Sequence, residues 1–431
     1  DIRRFEKKNP SVSVNVFSFS RNGKIFPLKV SEKSSGIQKD LLQIRTDHGV
    51  YFNVIHDLSR LLRSQKTKYK TKVFFCRRCL THFYSERQLA EHAVLCKDNP
   101  IGKAVLPIIS ENIMQFTKYR FKQTVPVVMF LDFEALLIPM EKKVGSATTY
   151  YQRHDVSAFC LYTVSIYEPD KHPIVYRGPD AGKVCLRYIE EEIRNTSELY
   201  SINEPMTISD VHRRVLLHLS KFCHICEKPF CNDDKVIDHD HATGKIRGVA
   251  HNKCNINYKR PNFVPVFVHN LNYDLKFLVK ALTSAEGRVD IIPSTEEKYI
   301  SLMKQCGKLQ YRFVDTYRFL QSSLKELVDI QTADTFIHTG KHFPSHLLPL
   351  LRRKCVYPYD YMDGWEKYEE KKLPPIEDFY NKMNKETLTT EDYQHAKDVW
   401  QTSKVQSLGE YTDLYVKADC LMLADIFEKF R

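Results

Sequence analysis

The sequence predicts a mixed α/β chain made of several parts. Three observations carry this. Apolar runs of strand length alternate with segments of helical periodicity, one such run ends in a pair of acids, and two clusters of cysteine and histidine have the spacing of zinc sites. At 431 residues the chain has room for two to four domains and a sizeable core. Lys and Arg number 65 against 53 Asp and Glu, a net charge of +12. That balance suits a polyanionic partner, nucleic acid before membrane, although a merely basic protein shares it. No apolar run approaches the ~18 residues that a membrane span needs. Six of the 12 cysteines fall in the two clusters, which points to zinc in a reducing compartment rather than to disulfides. There is no signal peptide and no initiator Met, so we expect a fragment or a processed piece.

Residues 1–70 read as a small α/β lead-in. Val12–Phe19 alternates like a strand, Arg21-Asn-Gly-Lys is a turn, and Lys24–Val30 completes a hairpin. Asp57–Ser64 has helical spacing at Leu58, Leu61 and Leu62. The basic linker Lys66–Lys72 either touches phosphates or is a solvated charge run. Within 71–100, Cys76-x2-Cys79-x12-His92-x3-Cys96 matches a C2HC zinc finger, with Phe83 and Leu89 where a ββα finger keeps its small core. Four ligands at these spacings define a tetrahedral Zn²⁺ site. Its role stays open between DNA contact, about 3 bp for one finger, and a zinc-stapled minidomain.

After a helical or mixed connector, Lys97–Thr124, comes the run Val125–Ala135, whose apolar residues end at Asp132 and Glu134. Residues i and i+2 of a strand share a face, so both carboxylates leave the sheet side by side. Like charges that close repel unless a cation lies between them, and oxygen ligands suit Mg²⁺ or Mn²⁺. A strand ending in solvated acids is the plainer alternative. Asp155–Ile166 and His172–Arg177 read as further strands, Gly178–Gly182 as a turn, and Lys183–Asn195 as a helix. Three strands and then a helix is how a ribonuclease-H-like sheet begins.

Residues 222–260 form a second cluster. Cys223-His-Ile-Cys226 is followed by Val236-Ile-Asp-His-Asp-His241, Thr243–Gly248 and His251-Asn-Lys-Cys254-Asn255. Cys223, Cys226, His251 and Cys254 make two knuckles, a closed tetrahedral set. A plain zinc ribbon explains those four ligands but not the Asp-His-Asp-His run. The pattern closely resembles the endonuclease VII branch of the His-Asn-His nucleases, with their ββα-metal core. It departs at His251, where that branch's resolvase has a cysteine. The resemblance implies structural zinc on the four ligands, one Mg²⁺ held by Asp238 and Asn255, and His239 as general base.

Val264–Val268 is another strand, running into His269–Leu278, where Asn270 and Asp274 are four apart and share a face if a helix starts there. Asn270 is equally read as that helix's cap. Residues 289–320 give three more strand-like runs, including Ile300–Met303 and Leu309–Phe313, and Phe313–Leu324 passes from strand to helix. Residues 331–400 are polar and broken by Pro344, Pro349, Pro358, Pro374 and Pro375, so we expect short helices and loops in a DNA-facing flap. Leu408–Arg431 is one amphipathic helix with Tyr415 and Asp419 on one face and a core stripe of Leu423, Ile426, Phe427 and Phe430.

Asp132/Glu134, Asn270/Asp274 and Tyr415/Asp419 together resemble the three motifs of DnaQ-type 3′–5′ exonucleases. More narrowly, the whole chain resembles the exonuclease region of protein-primed family B DNA polymerases of viruses, organellar plasmids and Polinton-type transposons. Supporting runs are Val12–Phe19, the finger, Phe313–Leu324, Lys354–Trp365 and the terminal helix. The resemblance implies a discontinuous exonuclease domain at 120–196 and 262–431, with the endonuclease VII-like segment 197–261 nested inside it. It implies that Asp132, Glu134, Asp274 and Asp419 hold two Mg²⁺ (or Mn²⁺) ions, that Tyr415 helps orient the attacking water, and that Asn270 contacts the frayed strand. Two structural Zn²⁺ complete the cofactors. The expected partners are DNA, a priming terminal protein and a C-terminal polymerase half, in the nucleus or wherever a virus or transposon replicates. The palm motifs of that family are absent before Arg431, so we expect no primer extension from this chain. Two other readings compete: a branched-DNA endonuclease on a decayed exonuclease scaffold, and a non-enzymatic zinc-dependent DNA-binding protein.

Overall fold

The computed structural model describes residues 2–20, 23–31, 36–68, 71–99, 108, 112–114, 116–144, 148–231, 234–284, 287–295 and 298–431. The turn read at Arg21-Asn22, residues 69–70 of the basic linker and most of the connector from 100 to 111 lie outside these. The chain divides into two compact units, Asp1–Gln115 and Phe116–Arg431.

The first unit contains α1 (Ile2–Lys8), β1 (Val12–Phe19), β2 (Ile25–Lys29), β3 (Ile37–Thr46), β4 (Gly49–Ile55), α2 (Leu58–Arg63), β5 (Phe74–Phe75), β6 (His82–Phe83) and α3 (Glu86–Asp98). β1 to β4 form one sheet in the order β2-β1-β3-β4, with β1 and β3 parallel. Two of these strands, β3 and β4, were not read from sequence. β4 is exposed over nearly its whole length, so it lacks the apolar alternation that marks a half-buried strand. Phe17, Ile25, Leu58 and Leu62 share a core with Phe75 and Leu80 of the finger. Asp40 fastens the same junction, accepting from Asn15 Nδ2 at 2.8 Å and Arg77 Nε at 2.8 Å.

The second unit contains β7 (Val127–Val144), β8 (Thr148–Ser165), β9 (Ile174–Arg177), α4 (Ala181–Ser201), α5 (Asp210–Leu219), β10 (Lys235–His239), β11 (Ile246–His251), α6 (Asn252–Asn257), β12 (Phe263–Val268) and α7 (Leu271–Ser284). It continues with β13 (Val289–Pro293), β14 (Tyr299–Cys306), β15 (Leu309–Asp315), α8 (Leu324–Asp329), α9 (Ile337–His342), α10 (Leu348–Leu351), α11 (Thr390–Ser403) and α12 (Leu408–Phe430). Seven strands form one mixed sheet in the order β13-β14-β15-β12-β7-β8-β9. β12 runs parallel to both β15 and β7, and the outer strands are antiparallel. The fold is thus mixed α/β with several sheets.

β12 and the inner part of β7, Val127–Leu136, are buried on both faces and read as continuous apolar runs for that reason. One face carries α4 and α7, whose Ile189, Ile193, Leu275 and Leu278 are fully buried. The other face carries α12 and the segment before it. Residues 331–400 are not an outlying flap: Leu351, Cys355, Tyr357, Met362, Tyr368 and Val399 are buried in one core with α12. The prolines break this segment into short turns without detaching it. α12 is buried nearly all round rather than along one stripe, and Phe430, expected in the core, is 52% exposed because the helix leaves the sheet there. Between α4 and β12 the chain builds a small module of α5, the β10–β11 hairpin and α6.

Candidate functional site

The long strand β7 sets the first site. Asp132 and Glu134 lie opposite Cys160 and Ala158 of β8, both small and fully buried. A bulge between Glu134 and Ala135 ends this regular stretch. α12 lies across β7, with Cys420 Sγ 3.4 Å from the Phe130 carbonyl, and this delivers Asp419. Carboxylate oxygens of Asp132, Glu134 and Asp419 all come within 4.8 Å of one another. Residues 132 and 419 thus meet although almost the whole second unit separates them in sequence. Asp274 is buried in the first turn of α7 and stands outside that tight group, but within electrostatic reach of it.

The electrostatics are those of crowded acids. Burial first, and then Asp419, pushes the Asp132 carboxyl up to about 7. Burial and then Asp132 and Asp419 hold Glu134 well above the usual carboxylate range, and burial and then Asp132 do the same to Asp274. Among the described residues, Lys354 relieves this. Lys354 Nζ hydrogen-bonds Asp419 Oδ2. Burial works to discharge that lysine, but Asp419, Tyr359 and Asp132 outweigh it and keep it protonated. The other oxygen, Asp419 Oδ1, is buried without a hydrogen-bond partner. A hard divalent cation bound by oxygen fits this donor set: three convergent carboxylates, one buried orphan oxygen and a surplus of negative charge.

Tyr415 is buried one helical turn before Asp419. Its hydroxyl meets that of Tyr359 at 2.7 Å, its ring stacks on Tyr357 at 4.8 Å, and Lys354 lies over it at 5.0 Å. Asn270 departs from the shared-face reading. α7 starts at Leu271, so Asn270 is not on its face; it is exposed, with φ 65, a left-handed conformation that Asn tolerates. Its N–H donates to buried Asp315 at 3.0 Å, which also accepts from Tyr317 N–H at 3.0 Å. Asn270 thus stands directly before α7, the position of the cap reading rather than of a shared helix face.

The finger and the module each hold a closed set of zinc donors. Cys76, Cys79, His92 and Cys96 bring one ligand atom each within 4.8 Å of the others, and so do Cys223, Cys226, His251 and Cys254. A tetrahedral ion with Zn–S near 2.3 Å and Zn–N near 2.0 Å spaces its ligands by about 3.3–3.8 Å. The sets agree: Cys79 Sγ to His92 Nε2 is 3.2 Å, Cys76 Sγ to Cys96 Sγ 3.9 Å, and His251 Nδ1 lies 3.5 Å from Cys226 Sγ and 3.8 Å from Cys254 Sγ. The finger histidine thus presents Nε2 and the module histidine Nδ1. Burial pushes Cys96 and Cys254 up to about 12, helped by the neighbouring cysteines. Burial also opposes ionisation of Cys79 and Cys223, but hydrogen bonds outweigh it and bring each down to about 7.

The module's second feature is a recess of about 400 Å³ lined by Asp238, Asn255, His241, Arg247, Lys259 and Arg260, among others. Asp238 is buried and already paired. Arg247 donates to both its oxygens at 2.7 and 2.9 Å, and His224 Nε2 stands 3.0 Å from Oδ2. Burial raises the Asp238 pKa, but His224 and Arg247 outweigh it and hold the group below its ordinary value. His239 does not line the recess with them; its ring packs on His241 at 4.6 Å. Partial burial and then His241 lower its pKa, which favours neutral imidazole. Lys354, Tyr359, Arg247 and His224 were missed from sequence. All four lie inside runs already noted, Lys354 and Tyr359 in Lys354–Trp365, His224 between Cys223 and Cys226 and Arg247 in Thr243–Gly248, but nothing in the sequence singles them out.

Residues 196–273 match the family model for recombination endonuclease VII, 78 of the 431 residues. No curated protein and no solved structure matches the chain. No described helix is long and apolar enough to cross a membrane.

Proposed function

We propose that this chain cuts DNA, and that its acid cluster is a 3′–5′ exonuclease site of the two-metal kind. The observation that carries this is the convergence of Asp132, Glu134 and Asp419, with Asp274 close behind and one Asp419 oxygen left without a partner. On this reading those four acids hold two Mg²⁺ or Mn²⁺ ions. Bound there, the ions supply an acidified water and charge stabilisation for phosphodiester hydrolysis. Tyr415, positioned by Tyr359, orients that water, Lys354 balances the negative charge of the cluster, and exposed Asn270 meets the incoming strand. No side chain acts as nucleophile. The sheet, with strands β7 and β12 parallel at its centre, two acids on β7 and a third in the helix that follows β12, supports the ribonuclease-H-like reading, and with it the exonuclease region of a protein-primed family B polymerase. That larger identity brings the expected priming protein, a polymerase half and a place in viral or transposon replication.

The module supports a second activity. Its family match and its Asp238, His239 and Asn255 suit a nested endonuclease acting on branched DNA, with Asp238 and Asn255 toward one Mg²⁺ and His239 as base. The match favours this activity as the main one in the alternative reading, where the acid cluster is only scaffold. The net charge of +12 suits DNA under either. One experiment decides. The purified chain receives labelled single-stranded DNA and a branched junction, each with Mg²⁺, alongside Asp132→Ala and His239→Ala. We expect Asp132→Ala to lose strand trimming alone and His239→Ala to lose junction cutting alone. Trimming that survives Asp132→Ala refutes the exonuclease. A parent chain that binds but cuts neither substrate leaves only the DNA-binding reading.

A further inference from the structure

Strands β7 and β8 outrun the sheet that holds them. β12 pairs with β7 only at Met129 and Phe130, and β9 pairs with β8 only over Ala158–Leu161. Beyond those positions, among the described residues, the two strands pair only with each other, out to Val144 and Thr148. A bare two-stranded ribbon is marginal in water, so its base needs support. Leu137 N–H donates to the Met362 carbonyl at 2.8 Å, and His154 Nδ1 meets the Tyr273 hydroxyl at 2.8 Å. Among the described residues the outer half is open: Tyr150 is 51% and Tyr151 73% exposed, and Lys142 and Lys143 are exposed as well.

We propose that the outer ribbon, residues 139–143 and 149–154, is a binding arm for single-stranded DNA that feeds the acid cluster; this rests on the exonuclease reading above. Lys142 lies directly opposite Tyr150, and Lys143 opposite Thr149, two residues along the strand from Tyr151 and so on its face. Each face of the ribbon thus carries a cation beside an aromatic ring, the pairing by which proteins hold a single strand without regard to sequence. The charge balance points the same way. Arg153 is paired with Asp155 at 2.6 Å, and among the described residues of the outer half Glu141 is the one acid against the two lysines. A protein partner would want a continuous apolar face, and Thr149, Gln152 and the lysines interrupt it.

The ribbon also leads to the right place. By alternation His154, Gln152 and Tyr150 share a face, and His154 ends on Tyr273, the neighbour of Asp274. Tyr150 is eight residues along β8 from Ala158, the partner of Glu134. At the rise of a strand that is at most about 27 Å, the reach of several nucleotides.

The test is fluorescence anisotropy of a 20-nucleotide single strand on the full chain, with Ca²⁺ in place of Mg²⁺. The variants are Tyr150→Ala/Tyr151→Ala and Lys142→Ala/Lys143→Ala. Both alter exposed side chains and should melt with the parent. We expect each to weaken binding about fivefold or more. The lysine variant should also show a shallower salt dependence, by about 1.4 in the logarithmic slope. Both ribbon variants binding like the parent overturns the arm. Loss of binding in a chain that never trims a strand keeps the arm and removes the exonuclease; normal trimming with unchanged ribbon variants does the reverse.

Discussion

The two candidate cutting sites treat a buried aspartate in opposite ways. At the acid cluster, Asp419 shares one lysine with Asp132, keeps an orphan oxygen, and sits among acids whose pKa values are all driven upward. In the module, Asp238 has an arginine on both oxygens and a histidine beside it, and its pKa is driven down. The first is an unbalanced site that a divalent cation would settle. The second is balanced by the chain itself, and a cation there must compete with Arg247. The supports differ as well. The cluster is set on a seven-stranded sheet between two large cores, whereas the module's core is Cys223, Ile225, Cys226 and Ala250 with few additions.

The difference in support gives the largest expected effect. Structural zinc contributes about 10–16 kcal/mol in small domains that lack another core. Cys226→Ser should therefore unfold the module and leave the acid cluster standing. Hydrogen exchange would show it: amides of β10 and β11 lose protection, while those of β7 and β12 keep theirs. Equal loss in both regions would mean that the module holds up the sheet as well.

Next comes Lys354→Met. It removes the cation from a pair whose partner, Asp419, is 3% exposed. Breaking one side of a buried pair costs about 3–5 kcal/mol. We expect that loss in urea denaturation without divalent ions, and recovery of much of it with millimolar Mn²⁺. A variant as stable as the parent in metal-free buffer would show that the acids there are neutral, not charged.

The third effect is of pH. Asp132 has its folded pKa raised to about 7 from an ordinary 3.8. The folded state holds the proton more tightly, so the metal-free chain is favoured at low pH and loses stability as pH rises from about 4 to 7. Each pKa unit is worth about 1.4 kcal/mol, so the fall is roughly 2–4 kcal/mol. Mg²⁺ should raise the melting temperature more at pH 8 than at pH 5. Asp419→Asn should shrink that difference, and a Mg²⁺ effect independent of pH would contradict the crowding.

Whatever a few neighbouring residues define was legible in the sequence. Both zinc sets are local, with ligands three or four residues apart in each knuckle, and both come together as spaced. Asp132 with Glu134 and Tyr415 with Asp419 were legible because one strand and one helix fix each pair's face. What was hidden depends on the third dimension. Lys354 is 65 residues from Asp419 and looked like any other basic residue. Asn270 could be read as sharing a helix face with Asp274 or as capping the helix; it stands directly before α7, with its amide held by Asp315, and only the third dimension decides between the two. The proline-broken segment 331–400 looked like a flap because its buried residues are scattered too widely to form a stripe.

The smallest effect bears most directly on the contrast. Arg247→Ala strips Asp238 of its two hydrogen bonds but leaves His224 in place, and Arg247 is itself a quarter exposed. The stability cost should be about 1–2 kcal/mol. Because Arg247 helps keep the Asp238 pKa low, it supports the fold above the ordinary aspartate pKa and that support fades as pH falls. The variant should thus lose stability at pH 7 and little at pH 3. It should also bind Mn²⁺ more tightly at the module, since the ion no longer displaces a guanidinium, and this can be followed by the paramagnetic broadening of nearby His239 and His241. If Arg247→Ala leaves Mn²⁺ affinity at the module unchanged, the ion pair is no barrier, and the two sites differ in their supports alone.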